Sequence, residues 1–362
     1  MFKEYDPLKN KMFKIMDENG EIINQKIKLK TTPEQILEAY KTMLFVRTAD
    51  LMTVSYQRQG RMYTYPPNIG QEAIAIGTGL SMKKDDWLVP AYRELGLYLM
   101  RGVSLKEIFL FWGGNEKGAR MEKAHHVLPL AVPIASQLLH AAGIGYAVNY
   151  QKKKEVVFTF VGDGGTSEGD FHEALNFAGV WNAPVVFIVQ NNQYAISMPR
   201  HKQTKSLNIA VKGVAYGVPG LLVDGNDLLA MQYVTDFARN HAAKGNGPVL
   251  IEALTYRKGA HTTSDDPKKY RTEEEEKAWE IKDPMMRIRK YLEKQNLISD
   301  EQEAELIETF KQEIDLEFQQ FENESGYSIE EVFESMYVDM PADLQRQRVE
   351  YEKFLNWKEA NL

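Results

Sequence analysis

Along the 362 residues, apolar positions first recur with helical spacing, then close up into short unbroken runs separated by helical stretches, and finally return to helical spacing in a polar background. Residues 1–30 lack a clear period and read as an arm lying on a surface, such as a partner's. Thr32, Pro33 and Gln35 make a capping box with proline at the first helical position, so a helix is expected from there to about Gly60. Ser104 and Glu107 repeat the box ahead of IFLFW, and Gly113 with Gly114 ends that helix. A further helix is expected over 133–149. VVFTFV (156–161) and VVFIVQ (185–190) are near-continuous apolar runs rich in β-branched and aromatic residues, the pattern of strands covered on both faces. Between them Phe171, Ala174, Leu175 and Ala178 recur at i, i+3, i+4 and i+7, which makes an amphipathic helix. Strand, helix, strand is a parallel crossover. The alternation continues with a helix near 204–216, a strand near 219–223, a helix from Asn226 to about His241, and the strand PVLIEALTYR. These elements predict a doubly wound α/β domain over 31–282, its mainly parallel sheet flanked by helices, followed by a C-terminal helical region over 283–362. The stretch KGAHTTSDDPKKYRTEEEEKAW is too polar for a core and too long for a plain connector, so it is either a functional loop or a disordered one. Its EEEE run, 273–276, reads as a solvated helix face.

Composition narrows the function. A chain 43% apolar and 26% charged is ordinary for a soluble globular protein. Its 44 basic and 51 acidic residues give a net charge of −7, so no broad positive field draws nucleic acid or anionic membrane. No apolar run approaches the ~20 residues of a membrane span, and the N-terminus lacks an apolar stretch of signal-peptide type. A cytoplasmic location is expected. Cysteine is absent, which excludes disulfides, thiolate metal sites and a thiol nucleophile, and leaves oxygen and nitrogen as metal ligands.

The candidate chemistry lies after the two central strands. Residues 162–170 read GDGGTSEGD, and 26 residues separate Gly-Asp-Gly from Asn191 and Asn192. Asp163 follows the C-terminal end of one strand and Asn192 that of the next, at the edge where open α/β sheets bind ligands. A carboxylate and an amide oxygen are hard ligands suited to magnesium or calcium, while the glycines let backbone N–H groups approach a diphosphate near the start of the following helix. No glycine in the chain is followed by lysine, so the phosphate loop of nucleotide hydrolases is missing. The dinucleotide fingerprint also fails, because GDGGTS lacks its last glycine and asparagines stand where an acid should hold a ribose. The spacing Gly-Asp-Gly, then Asn-Asn, is instead that of a thiamine-diphosphate motif. An NAD-dependent enzyme and a catalytically silent scaffold subunit are the readings from other classes.

The segment GDGGTSEGDFHEALNFAGVWNAPVVFIVQNNQYAISMP, with GQEA at 70–73, PAYRE at 90–94 and HTTSDDPKKYR at 261–271, resembles the alpha subunit of the decarboxylating component of pyruvate dehydrogenase complexes, over roughly residues 30–340. The resemblance implies a thiamine-diphosphate-binding fold in an alpha2beta2 assembly, with alpha supplying the diphosphate and magnesium half of each site. On that resemblance Asp163, Asn192 and the backbone carbonyl of Tyr194 are the magnesium ligands. Gly162, Gly164, Gly165 and Ala195 approach thiamine diphosphate through backbone, Tyr92 and Arg93 bind its diphosphate, and Leu128 lies near its rings. His261 is the catalytic candidate, able to bind a diphosphate or reacting-group oxygen or to move a proton. Arg257, Asp266, Tyr270 and Arg271 are expected to fix the loop by ion pairs and hydrogen bonds. The implied reaction is oxidative decarboxylation of pyruvate with transfer of the acetyl group to a lipoyl group on the acyltransferase core; branched-chain 2-oxoacid dehydrogenase and acetoin dehydrogenase are the neighbouring readings. A glutamate needed by the cofactor's aminopyrimidine belongs, in relatives, to the beta subunit, so this chain alone is expected to be inactive.

Overall fold

The computed structural model describes residues 1–324 and 326–361. Among the described residues seven strands are formed: β1 (Trp87–Val89), β2 (Val157–Gly162), β3 (Val185–Asn191), β4 (Tyr194–Ala195), β5 (Met198–Pro199), β6 (Gly220–Asp224) and β7 (Val249–Leu254). β4 and β5 make a small antiparallel hairpin, and the other strands form one parallel sheet in the order β1-β2-β3-β7-β6. Every residue of β3 is buried and β2 is buried up to Gly162, as unbroken apolar runs between two helical layers must be. The helix Gly169–Val180 carries the crossover between them, with Phe171, Ala174, Leu175 and Ala178 in the core as their spacing predicts. In the β2/β3 register Gly162 pairs with Gln190, so Asp163 and Asn192 emerge from the same end of adjacent strands.

Local signals are realised closely. Thr32 and Gln35 exchange both capping-box hydrogen bonds at the start of the helix Pro33–Arg58, and Ser104 and Glu107 do so at the start of Leu105–Trp112. The helix expected over 133–149 spans Ser136–Tyr150. The helix expected over 204–216 is not one. Only Ala210–Tyr216 winds, as a 3-10 helix, and Gly217 closes it in the left-handed region at φ 67°. The reason lies in the sheet: Glu252 of β7 accepts the N–H groups of Ile209 and Ala210 at 2.6 and 2.9 Å, and a Cβ on Gly213 would meet the Val218 carbonyl at 2.7 Å.

The N-terminal arm lies on this chain's own sheet. Phe13 N–H donates to the Leu222 carbonyl and its carbonyl accepts from Asp224, a parallel bridge that covers the exposed edge of β6. Ile15 and Met16, both fully buried, give their N–H groups to Asp227 Oδ2 at 2.7 Å. The polar stretch after β7 is folded, with a 3-10 turn at Pro267–Lys269 and a helix at Glu273–Glu280. Met1–Phe318 form one compact unit, which includes the helix Pro284–Lys294; Gln319–Leu362 form a second. In the second, Arg348 on the helix Ala342–Asn361 is paired with Glu330, Glu334 and Glu352. Among the described residues no helix is long and apolar enough to cross a membrane.

Candidate active site

Three oxygens meet just beyond the ends of β2 and β3. The Asn192 amide lies with Nδ2 donating to Gln71 Oε1 at 3.3 Å, and its Oδ1 then stands 3.3 Å from Asp163 Oδ1 and 3.1 Å from the Tyr194 carbonyl oxygen. Acceptors facing acceptors repel unless a donor or a cation sits among them. Turning the amide would make both contacts ordinary hydrogen bonds, but would put its oxygen against Gln71 Oε1 unless that amide turned too. With the oxygen inward, the separations match neighbouring ligands of a magnesium octahedron, which at ~2.1 Å from the ion lie about 3.0 Å apart. Asp163 is fully buried and its Oδ2 has no partner; burial pushes its carboxyl up to about 7, against the pull of Arg257. These are the signs of an acid awaiting a positive partner. Among the described residues no group of three or more His, Asp or Glu could hold a metal, so any cation here is held by one carboxylate with amide and carbonyl oxygens.

The asparagine pair divides its work. Asn191 turns into the sheet and donates to Glu252 Oε1 at 2.6 Å, while Asn192 faces the site. Gln193 follows with a φ of 77°, the left-handed turn that swings the Tyr194 carbonyl back beside Asn192.

Beside these oxygens opens a cavity of about 370 Å³, whose lining includes both chain neighbours of Asp163 but not the fully buried Asp163 itself. Gly162, Gly164, Gly165, Ala195, Tyr92, Arg93, Asn192, Tyr194 and His261 line it. A Cβ on Gly164 would come within 2.8 Å of Ala195 Cβ, and one on Gly165 within 2.4 Å of Val161 Cγ2. Gly162 is different, for a Cβ there would meet nothing within 4 Å. Its bare backbone is required by no neighbour in this chain and borders open cavity. The helix after the glycine turn starts only at Gly169, because Gly164–Ser167 wind first as a 3-10 turn.

Arg93 and His261 meet on one wall. Arg93 Nη1 donates to the Pro67 carbonyl at 2.6 Å, and Nη2 donates to the His261 carbonyl at 2.6 Å and lies 3.1 Å from His261 Nδ1. Since guanidinium only donates, Nδ1 is the acceptor and the ring proton sits on Nε2. Burial, then Arg93 and Arg257, push the imidazole down to about 4, so it is neutral near pH 7. Arg257 holds the site from below, donating to the Tyr194 and Ile196 carbonyls and to the Tyr270 hydroxyl. Arg271 packs over the Tyr194 and Tyr256 rings and donates to the Gly259 carbonyl. The acid that ties the loop is Asp265, which accepts from His261 N–H and Tyr270 OH; Asp266 only caps its own turn through Lys268 N–H. Glu275 within EEEE accepts from Tyr194 OH, so that face is not wholly solvated.

Residues 40–330 match the family described as "Dehydrogenase E1 component". The chain belongs to the dehydrogenase E1 component family. It is 46% identical over 342 residues to the pyruvate dehydrogenase E1 component subunit alpha of Acholeplasma laidlawii, covering 94% of this chain and 99% of that one. To the subunit of the same name from Staphylococcus aureus strain Mu50 it is 41% identical over 340 residues, covering 94% and 92%. To that of Mycoplasma genitalium it is 39% identical over 345 residues, covering 94% and 96%. Thiamine diphosphate dependence comes with E1 membership.

Leu128 packs half-buried against the hydrophobic core and is not among the residues that line the cavity. Other lining residues carried no assigned role. Glu94 is buried, its Oε1 accepting from Gln190 while Oε2 has no partner, and burial raises its carboxyl to about 8. Gln71, Gln137 and Gln203 each leave one amide atom buried and unpaired. Gln71 and Glu94 sit inside GQEA and PAYRE, so the motifs marked their neighbourhood; Gln137 and Gln203 had no local mark.

Proposed function

We infer that this chain is the alpha subunit of a pyruvate dehydrogenase E1 component, which decarboxylates pyruvate oxidatively with thiamine diphosphate and passes the acetyl group to a lipoyl group. The observation that carries the site reading is the convergence of Asp163 Oδ1, Asn192 Oδ1 and the Tyr194 carbonyl beside a glycine-walled cavity. Magnesium fits that oxygen set by charge, hardness and spacing. Bound thiamine diphosphate supplies an acidic ring carbon and an electron sink for loss of carbon dioxide from a 2-oxoacid.

The chain's own residues do the holding. Asp163, Asn192 and Tyr194 seat the cation; Gly162, Gly164, Gly165 and Ala195 let the diphosphate approach backbone. Arg93, with Tyr92 beside it, offers the anion its positive charge and its remaining N–H groups, since Pro67 and His261 already hold both of its Nη atoms. His261, neutral and with Nε2–H as its free donor, serves the substrate end of the cavity as a hydrogen-bond donor to a reacting oxygen. A beta subunit completes each site in an alpha2beta2 assembly, and a lipoyl-bearing acyltransferase accepts the product.

The test is decarboxylation by the chain co-expressed with its beta subunit, with magnesium and thiamine diphosphate, on pyruvate and on 3-methyl-2-oxobutanoate. Preference for pyruvate is expected. Preference for the branched acid, or no turnover of either, overturns the reading.

A further inference from the structure

Gln71 touches both halves of the site and belongs to neither. It stands immediately before the helix Glu72–Gly79, 2% exposed, and lines the cavity. The backbone on each side is held. Gly70 takes a φ of 98° with no room for a Cβ, which would strike the Tyr256 carbonyl at 2.5 Å, and Glu72 is ion-paired to Arg47 while accepting from Gly70 N–H. The Gln71 side chain therefore has a fixed origin.

Its two amide atoms face different partners. Oε1 accepts from Asn192 Nδ2 at 3.3 Å, whereas Nε2 is buried with no partner. An unsatisfied buried donor costs on the order of 1–3 kcal/mol, so such a group on a cavity wall is one whose acceptor arrives with the ligand. The contact to Asn192 also bears on the cation seat. Asn192 has two amide orientations, and the turned one would fill the seat with hydrogen bonds to Asp163 Oδ1 and the Tyr194 carbonyl. Gln71 Oε1, accepting from Nδ2, and the Tyr194 N–H, donating to Oδ1 at 3.4 Å, are what favour Asn192 Oδ1 inward. The two amides are linked: whichever way Gln71 presents itself to Asn192, its other atom faces the cavity.

We propose that Gln71 is a positioning residue that sets the Asn192 amide for the cation through Oε1 and donates through Nε2 to an oxygen of the bound diphosphate. The inference rests on reading the cavity as a cation and diphosphate site. An acceptor on the ligand fixes Nε2 outward, Oε1 toward Asn192, and Asn192 Oδ1 toward the cation. Diphosphate and cation then favour each other's binding through this chain as well as through direct coordination.

The test uses the assembled alpha and beta subunits and two binding readouts: manganese alone by electron paramagnetic resonance, and thiamine diphosphate by titration calorimetry at saturating magnesium. Gln71→Met keeps size and removes both functions; Gln71→Glu keeps an acceptor for Asn192 and removes the donor. The Met variant is expected to weaken both ligands, the cofactor by roughly tenfold to a hundredfold, the range of a hydrogen bond to a charged group. The Glu variant is expected to hold manganese at least as well as the parent and still lose cofactor affinity. Met-variant affinities within about twofold of the parent, or a Glu variant that loses manganese along with cofactor, overturn the proposal. Asp163→Ala runs beside them: if it keeps magnesium-dependent cofactor binding, the reading of the site itself fails; if it loses it while Gln71→Met does not, only the role of Gln71 falls.

Discussion

Arg93 grips His261 at two points, its Nη2 lying 3.1 Å from the ring Nδ1 and donating to the backbone carbonyl at 2.6 Å, so one guanidinium fixes the ring's tautomer and the loop that carries it. The imidazole is held down at about 4 by burial and by Arg93 and Arg257. Nitrogen-15 spectra of the His261 ring should show a neutral Nε2–H tautomer at pH 6, and Arg93→Met should move its titration up toward the ordinary 6.5. For stability the sign is set by a depressed base. Between about 6.5 and 4 the unfolded chain takes a proton that the folded one refuses, so stability falls as pH falls through that window. His261→Gln should flatten that part of the unfolding profile; an unaltered profile would contradict the assignment.

Glu94 has the opposite sign. Its carboxyl is raised to about 8 by burial, so between about 4.5 and 8 the folded chain keeps a proton that the unfolded one has released, and stability falls as pH rises. Glu94→Gln should leave the assembled component little changed at pH 5 and stabilise it at pH 9, by on the order of 2 kcal/mol. Calorimetric unfolding at the two pH values checks this; equal shifts at both would mean that ionisation of Glu94 is not the cause.

Two glycines one turn apart should respond differently. At Gly162 a Cβ has nothing within 4 Å, so Gly162→Ala should fold normally but narrow the cavity and weaken thiamine diphosphate by about tenfold or more. At Gly165 a Cβ would meet Val161 Cγ2 at 2.4 Å, and Gly165→Ala should cost roughly 1–3 kcal/mol of stability from overpacking. Thermal midpoints paired with cofactor titrations separate the two, and a destabilised Gly162 variant would count against the open-wall interpretation.

Asp163→Ala removes the charged member of the oxygen set, whose Oδ2 has no partner. Magnesium-dependent cofactor binding should vanish while the metal-free fold stays close to the parent in stability, since burial of an acid whose Oδ2 has no partner offsets what its backbone hydrogen bonds and Arg257 contribute. Circular dichroism melts without magnesium and calorimetric titrations with it are the measurements; retained cofactor affinity in the folded variant is the adverse result.

The sequence by itself determined the features whose causes are local or periodic. Buried parallel strands cover both faces, so VVFTFV and VVFIVQ show as unbroken apolar runs; Thr32 with Gln35 and Ser104 with Glu107 bond within one helical turn; the glycine turn and asparagine pair lie directly after strand ends. From these the crossover and the meeting of Asp163 with Asn192 at one edge of the sheet were legible. Tertiary structure decided what depends on residues far apart in the chain. Glu252 fixes the start of the 3-10 segment Ala210–Tyr216, Asp227 and β6 draw the N-terminal arm onto the sheet, and Asp265 rather than Asp266 ties the loop. Gln71 meets Asn192 across 121 residues of sequence. No periodicity records such a contact, because the orientation of an amide is set by which acceptor the folded chain brings to it.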